Sequence, residues 1–273
     1  MKLIDFDGLF DEKLTQYMAE NKEKHTEKQW ESIIPKLYKK FGDTHIPKLG
    51  CTPKEYYARM TDGELADALL QHLEQDVPVP EFLCAEIEGR DNAEVLLPLL
   101  KSDDAQTVSY AVNMLGDDKR AFDEYFRILI ENRLDEEVRS DLTDILRLHA
   151  DEMKERALLA YRNGIAKVYM LEILSRVQSR DEEVYQTLLS AFYEADDTSF
   201  PAGYLAAYGD ERALAVLLRK IEDRSIGFVE FQELKYAIEA LGGEYNEPRD
   251  FSSDKDYLAI EAASYKASEE RQS

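Results

Sequence analysis

Four histidines and two cysteines are the scarce reactive residues of a 273-residue chain that holds fifty-seven aspartates and glutamates. Metal sites use such residues at short fixed spacings, because two ligands must converge on one ion. His25, His45, His72 and His149 form no pair at ligand spacing on one helix face. His45 and Cys51 flank a loop, and a metal there would need Cys84 to join them in space. The run from Ile221 to Phe231 echoes a calcium loop, with Gly227 as its turn glycine and Glu222 at the first ligand position. Arg224 and Ile226 then fall at the third and fifth, where oxygen ligands are required, so the loop fails. The Asp5-Phe6-Asp7-Gly8 run fails likewise, with Leu3 and Leu14 at ligand places. No G-x-S-x-G, phosphate-binding loop or G-x-G-x-x-G pattern occurs. The carboxylates are too many to nominate a catalytic pair and are read as solvated acids. The expectation is a protein without cofactor or metal and without catalytic residues. The alternative is an enzyme of unknown reaction using acidic residues in a groove.

Charge narrows the partners. The formal net charge is −23, which repels phosphate backbones and anionic membrane surfaces alike, so neither nucleic acid nor membrane is expected as a partner. The charge is uneven. Residues 1–54 hold ten lysines against nine acids, a net of +1, leaving −24 for the rest. The lysines at 22, 24, 28, 36, 39, 40 and 48 read as a solvated helix face, or as an end that meets an acidic surface. Cys51 and Cys84 do not make a disulfide framework, though one bridge between them stays open from sequence. Asp5 and Asp7 interrupt any apolar leader, and no apolar run approaches 18 residues. A soluble cytoplasmic protein is expected.

The elements that must position any site are helices. Twelve glycines and eight prolines are few for this length. Val108, Ala111, Val112 and Leu115 recur at i, i+3, i+4, i+7, and Val138, Leu142 and Ile145 follow the same stripe. Thr52-Pro53-Lys54-Glu55, Thr26 with Gln29 and Thr61 with Glu64 have capping-box spacing. Ser199 is placed to cap a helix with Pro201 in its first turn. Val77-Pro78-Val79-Pro80 reads as an extended linker, since its prolines cannot join a sheet ladder. Trp30, the single tryptophan, falls at helical spacing with Ile33, Ile34, Leu37 and Phe41 and reads as core. The spans include 27–41, 92–101, 104–115, 119–132, 136–148, 166–177, 200–208 and 228–241.

These helices repeat. Leu115-Gly116-Asp117, Leu148-His149-Ala150, Val177-Gln178-Ser179, Tyr208-Gly209-Asp210 and Leu241-Gly242-Gly243 close every second helix, at spacings of 33, 29, 31 and 33. Ile87-Glu88-Gly89 is an earlier, weaker anchor. A helix pair of that length cannot bury its faces alone, whereas stacked pairs share a core. Leu96-Leu97-Pro98-Leu99-Leu100 with Val108-Ser109-Tyr110-Ala111 and Leu115-Gly116-Asp117 resembles a HEAT-like repeat of the short form found in phycobilin-lyase-related proteins. Ala206-Ala207-Tyr208-Gly209-Asp210 resembles the junction between such repeats. The resemblance covers about residues 80–244 and implies an all-α, right-handed α–α superhelix. It departs from the pattern at 148 and 177, where the glycine is missing. Tetratricopeptide repeats lack support, since their Trp and Tyr positions and strict 34-residue spacing do not occur. The glycosylase branch of HEAT-like folds needs a basic groove, which this acidic body contradicts, and nothing points to the tetrapyrrole that the lyase branch would use.

The expected organisation is an N-terminal helical cap over 1–60, repeats over 61–244 and a tail or capping helix over 245–273. In such a stack the second helices line a concave face. Turning 100° per residue from each anchor puts Tyr110 and Asn113, Arg139 and Thr143, Glu172 and Ser175, and Tyr236 and Glu239 on that face. Leu146, Ser199, Gly203 and Ala206 occupy equivalent places, and Leu146 fits badly. Exposed tyrosines on such a face suit contact with a protein partner. The expected function is a non-catalytic interaction scaffold that binds this partner on the concave face.

Overall fold

The computed structural model describes residues 3–22, 24–90 and 93–270. The described residues form sixteen α-helices and two short 3-10 segments, with no strand among them. One isolated antiparallel bridge joins Ile46 and Cys51. The all-α expectation therefore holds.

Local chemistry sets the first helices. Asp5 accepts the Gly8 amide at 2.7 Å and starts α1 (Phe6–Asn21). Thr26 precedes α2 (Glu27–Gly42), and its amide donates to Gln29 Oε1 at 2.9 Å. Thr52 and Thr61 form reciprocal boxes with Glu55 and Glu64 and start α3 (Pro53–Ala58) and α4 (Asp62–Glu74). Pro80 precedes α5 (Glu81–Glu88), and residues 77–79 are neither helix nor strand, as the linker reading requires.

The expected 92–101 helix is divided. Its first residue lies outside the described residues, and α6 (Ala93–Leu96) gives way to a 3-10 segment, Leu97–Lys101. Pro98 has no amide proton, and its ring excludes an α-helical carbonyl four residues back. Asp104 caps α7 (Ala105–Leu115). A 3-10 turn, Lys119–Ala121, precedes α8 (Phe122–Ile130).

The later helices are α9 (Glu136–Leu148), α10 (Ala150–Arg162), α11 (Lys167–Leu174), α12 (Glu182–Glu194), α13 (Ser199–Tyr208), α14 (Arg212–Ile221), α15 (Phe228–Ala240) and α16 (Lys255–Glu270). Gly116 and Gly209 take positive φ at the ends of α7 and α13; Gly209 is a left-handed C-cap, whereas Gly116 has an extended ψ outside that region. The anchor at 177 is displaced, because α11 already ends at Leu174 with Ser175 as its C-cap.

The chain forms two compact units: Met1–Ile128 with Arg133–Leu142, and Leu129–Asn132 with Thr143–Ser273. This division cuts across the 61–244 block. In unit 1 α1 packs on α2, α3 on α5, and α7 on α4, α5 and α6. Phe6, Leu65, Leu69, Leu83, Leu100 and Val108 are buried there, and so is Trp30, edge-on to Tyr17 and His25. The Arg90 guanidinium covers the carbonyls of Ala58 and Met60 at the end of α3, at 3.0 and 2.6 Å. Cys51 and Cys84 are both free thiols.

In unit 2 each helix from α10 to α15 meets its successor, and α11 also packs on α13 and α13 on α15. Polar bonds follow the same spacing. Asp151 accepts the amides of Gln178 and Ser179 at 3.1 and 3.0 Å, and Lys154 bonds Asp181 at 2.7 Å. The Tyr208 hydroxyl donates to the Asp181 carbonyl at 2.9 Å, and Thr198 donates to Glu230 at 2.6 Å.

Residues after α15 belong to this packing too. Tyr245 is buried. The Arg249 guanidinium lies 4.7 Å from the Phe231 ring and bonds the Ile221 and Asp223 carbonyls. Phe251 stacks edge-on to Phe228. Asp254 accepts the Phe228 amide at 3.1 Å and those of Asp256 and Tyr257 at 2.9 and 3.1 Å. The segment after 245 thus covers the end of α14 and the start of α15.

Candidate functional site: a hollow in unit 2

In unit 2, residues of α9, α11, α13 and α15 line a hollow of about 420 Å³. On α13, Phe200, Gly203, Tyr204 and Ala207 fall at i, i+3, i+4, i+7, so one stripe faces the space. Val229 and Glu233 on α15 follow at i, i+4. Glu172 from α11 and Arg147 from α9 close the opposite side, with Ser175, Arg176, Asp197 and Ser199 at the ends. Gly203 matters as the absence of a side chain: a Cβ built there meets nothing within 4 Å, so the space beside Phe200 and Tyr204 stays open.

Phe200 is 79% exposed, an unusual place for a phenylalanine, and Tyr204 beside it is half-buried. Burial first, then the Glu172 charge, push the Tyr204 hydroxyl pKa upward. The charged groups are mostly engaged. Arg147 bonds Glu172 at 2.6 Å and Asp144 at 3.0 Å. Asp197 accepts the Ser199 hydroxyl and amide at 2.6 and 2.8 Å. Those bonds hold its carboxyl below the usual range, which suits a fixed charge, not a proton donor. A second hollow of about 530 Å³ shares Arg147 and Arg176 and adds Leu148, His149, Asp151, Glu152 and Gln178.

The expected contact residues fare unequally. Glu172 and Ser175 line the hollow, as do Ser199 and Gly203. Tyr236 is 61% exposed and Glu239 is exposed, both on α15 beyond the lining. Two placements are corrected. Thr143 is 1% exposed and Ser175 2%, so neither presents a free surface. Val138, Leu142, Thr143 and Leu146 are all buried on α9, an arc wider than the single stripe assumed. Ser175 is a C-cap whose hydroxyl donates to the Glu172 carbonyl at 2.7 Å. Tyr110, Asn113 and Arg139 lie in unit 1. Tyr110 and Arg139 are half-buried, and Asn113 is exposed. Ser199 is the first residue of α13, after Thr198, whose hydroxyl goes to Glu230 instead of capping the helix.

Phe200, Tyr204, Val229 and Arg147 were missed. The signal lay beside the residues chosen, since Phe200 and Tyr204 each follow an outward position directly.

Unit 1 holds the other group of displaced titratable residues. The Tyr38 hydroxyl donates to Asp7 at 2.5 Å. Burial raises the Asp7 carboxyl, and the Tyr38 bond opposes it. His72 is buried, with Nε2 3.4 Å from the Tyr57 hydroxyl and Nδ1 without a hydrogen-bond partner. Burial lowers its pKa and pushes the Cys84 thiol up to about 11. Among the described residues no three His, Cys, Asp or Glu side chains group as metal ligands, and no helix is long and apolar enough to cross a membrane.

No family model, no curated protein and no solved structure matches this chain.

Proposed function

We propose that the chain is a HEAT-like repeat scaffold whose unit 2 binds a protein partner through the hollow between α11, α13 and α15, without catalysis. The single observation that carries this reading is Phe200, held nearly fully exposed over a hollow that Tyr204 and Val229 also line. An exposed aromatic beside a concavity is the usual anchor of an interface. The stacked-pair reading is supported by the polar bonds of unit 2, which join residues 26 to 32 positions apart. The alternative of acid–base chemistry by groove acids has no observation in its favour: Asp197 is displaced toward permanent charge and Glu172 is bound to Arg147.

The test is a quantitative comparison of proteins captured from the native cell by the wild-type chain and by a Phe200→Ser, Val229→Ser double variant. Both side chains are exposed, so helix content should be unchanged and each change should alter stability by less than about 0.5 kcal/mol. A partner held by the wild type and lost by the folded variant supports the reading. An identical captured set from a folded variant overturns it.

A further inference from the structure

We infer a second binding surface, in unit 1, whose occupant is an amphipathic helix with acidic flanks. The surface is the seam between α1 and α2. Phe10, Lys13, Leu14 and Tyr17 on α1, Leu37, Lys40 and Phe41 on α2, and Thr44 just past the end of α2, line a hollow of about 210 Å³. Each set is an i, i+3, i+4, i+7 stripe, and each places a lysine at its second position. Two neighbouring helices that leave such a seam open offer the complement of one more helix, seated by apolar anchors at the same spacing. A hollow of that volume takes side chains one at a time and is small for a compact organic ligand.

Charge selects the kind of helix. Acids outnumber bases by 57 to 34 in this chain, yet the charged groups of both stripes are lysines. Lys13 is exposed, with its ammonium 5.1 Å from the Phe41 ring, and Lys40 is exposed on the facing stripe. Lys36, also exposed, lies on the Lys40 side of the α2 stripe. A helix that lays leucines between α1 and α2 therefore brings its flanks against ammonium groups on both sides, and glutamates there are attracted while lysines are repelled. This surface uses no residue of the unit 2 hollow, so it stands or falls separately.

The chain carries its own reporter. Trp30 is the single tryptophan, and its ring lies 6.1 Å from Tyr17, which lines the seam. The experiment titrates the full chain with a synthetic helical peptide lacking Trp and Tyr, with leucines at i, i+3, i+4, i+7 and glutamates on both flanks, and reads Trp30 emission. Saturable change is expected, weakened by added salt. A lysine-flanked peptide should bind about tenfold more weakly, and so should the glutamate-flanked peptide to a Lys13→Glu, Lys40→Glu variant. The lysine-flanked peptide should recover affinity for that variant. Circular dichroism confirms that the variant, changed at two exposed positions, keeps its helices. No saturable change, or equal affinity for both peptides, overturns the inference. Saturation by decanoate but not by peptide overturns it in favour of a small anionic amphiphile. Emission that shifts with protein concentration alone overturns it in favour of a second copy.

Discussion

The α1–α5 part of unit 1 and the α10–α15 part of unit 2 are both helical but are held in different ways. The first is knitted mainly by aromatic rings, beside a few polar bonds such as Tyr38 to Asp7 and Arg90 to the Ala58 and Met60 carbonyls. Phe6 meets Tyr56 and Tyr57 at 5.5 and 5.6 Å, Phe10 meets Tyr38 at 5.0 Å, and Tyr38 stacks on Phe82 at 4.7 Å. These contacts follow no period, so each ring has a place that no other position duplicates. The second is laced by short polar bonds at near-constant sequence separation, and each bond reaches only the neighbouring helix pair. An aperiodic core fails as a whole, whereas a neighbour-to-neighbour stack fails piece by piece.

The largest test of that contrast is Phe6→Ala. Phe6 is fully buried between the two tyrosines, and truncating a buried phenylalanine costs about 3–5 kcal/mol. Amide exchange should accelerate together over α1, α3 and α5, not only around residue 6. Protection lost only in α1 would show that unit 1 too gives way piecemeal.

Next in size is Asp181. It caps α12 through the Glu183 and Val184 amides and bonds Lys154. Replacing it with Ala should cost about 1–2 kcal/mol, with faster exchange confined to α10–α12. Tyr208→Phe removes the hydroxyl that serves the Asp181 amide and carbonyl and should cost about 1 kcal/mol with the same local footprint. Loss of protection throughout the chain would contradict the stacked-pair description.

The smallest effect separates the regions by pH. His72 is buried with its pKa lowered by desolvation, against the opposing pull of the Val77 and Pro78 backbone first and of Asp5 and Asp7 after it. A group whose folded pKa lies below its unfolded value contributes stability above about 6.5 that is lost as pH falls through the folded value. Asp7, with its pKa raised, acts in the other sense at lower pH. The displaced carboxylates of unit 2, among them Asp151, Asp181, Asp197 and Asp210, are all shifted below their usual range, so their contribution is lost only in stronger acid. Stability followed by exchange should therefore decline first in α1–α5 between pH 7 and 5. His72→Gln should flatten that decline, and an unchanged slope in the variant would remove His72 as its source.

Much of the helix layout was legible because caps and stripes are local. Thr52, Thr61, Asp104 and Leu115 mark ends within a residue of those observed. The 92–101 segment reads as one helix but is divided at Pro98, because the chain tightens into a 3-10 turn there. The contact face was half legible. A 100° step from a helix end assumes that the end is known and that one stripe is buried, and α11 breaks the first assumption while α9 breaks the second. The packing of the tail was not legible, since Arg249, Phe251 and Asp254 act singly on distant carbonyls, rings and amides. Nor was the α1–α2 seam, whose two halves lie apart in sequence and show their shared pattern only when set side by side.

Asp254 gives the order in which the chain is made a structural meaning. The N-cap of α15 is Gly227, which has no side chain to cover the first amides, and the Phe228 amide is instead satisfied by a carboxylate 26 residues later. While the polypeptide is being synthesised, α15 can form and pack on α13, but its first turn stays uncapped until residue 254 has emerged. The same carboxylate then starts α16 through the Asp256 and Tyr257 amides. One residue thus completes the helix behind it and opens the helix ahead in a single late step.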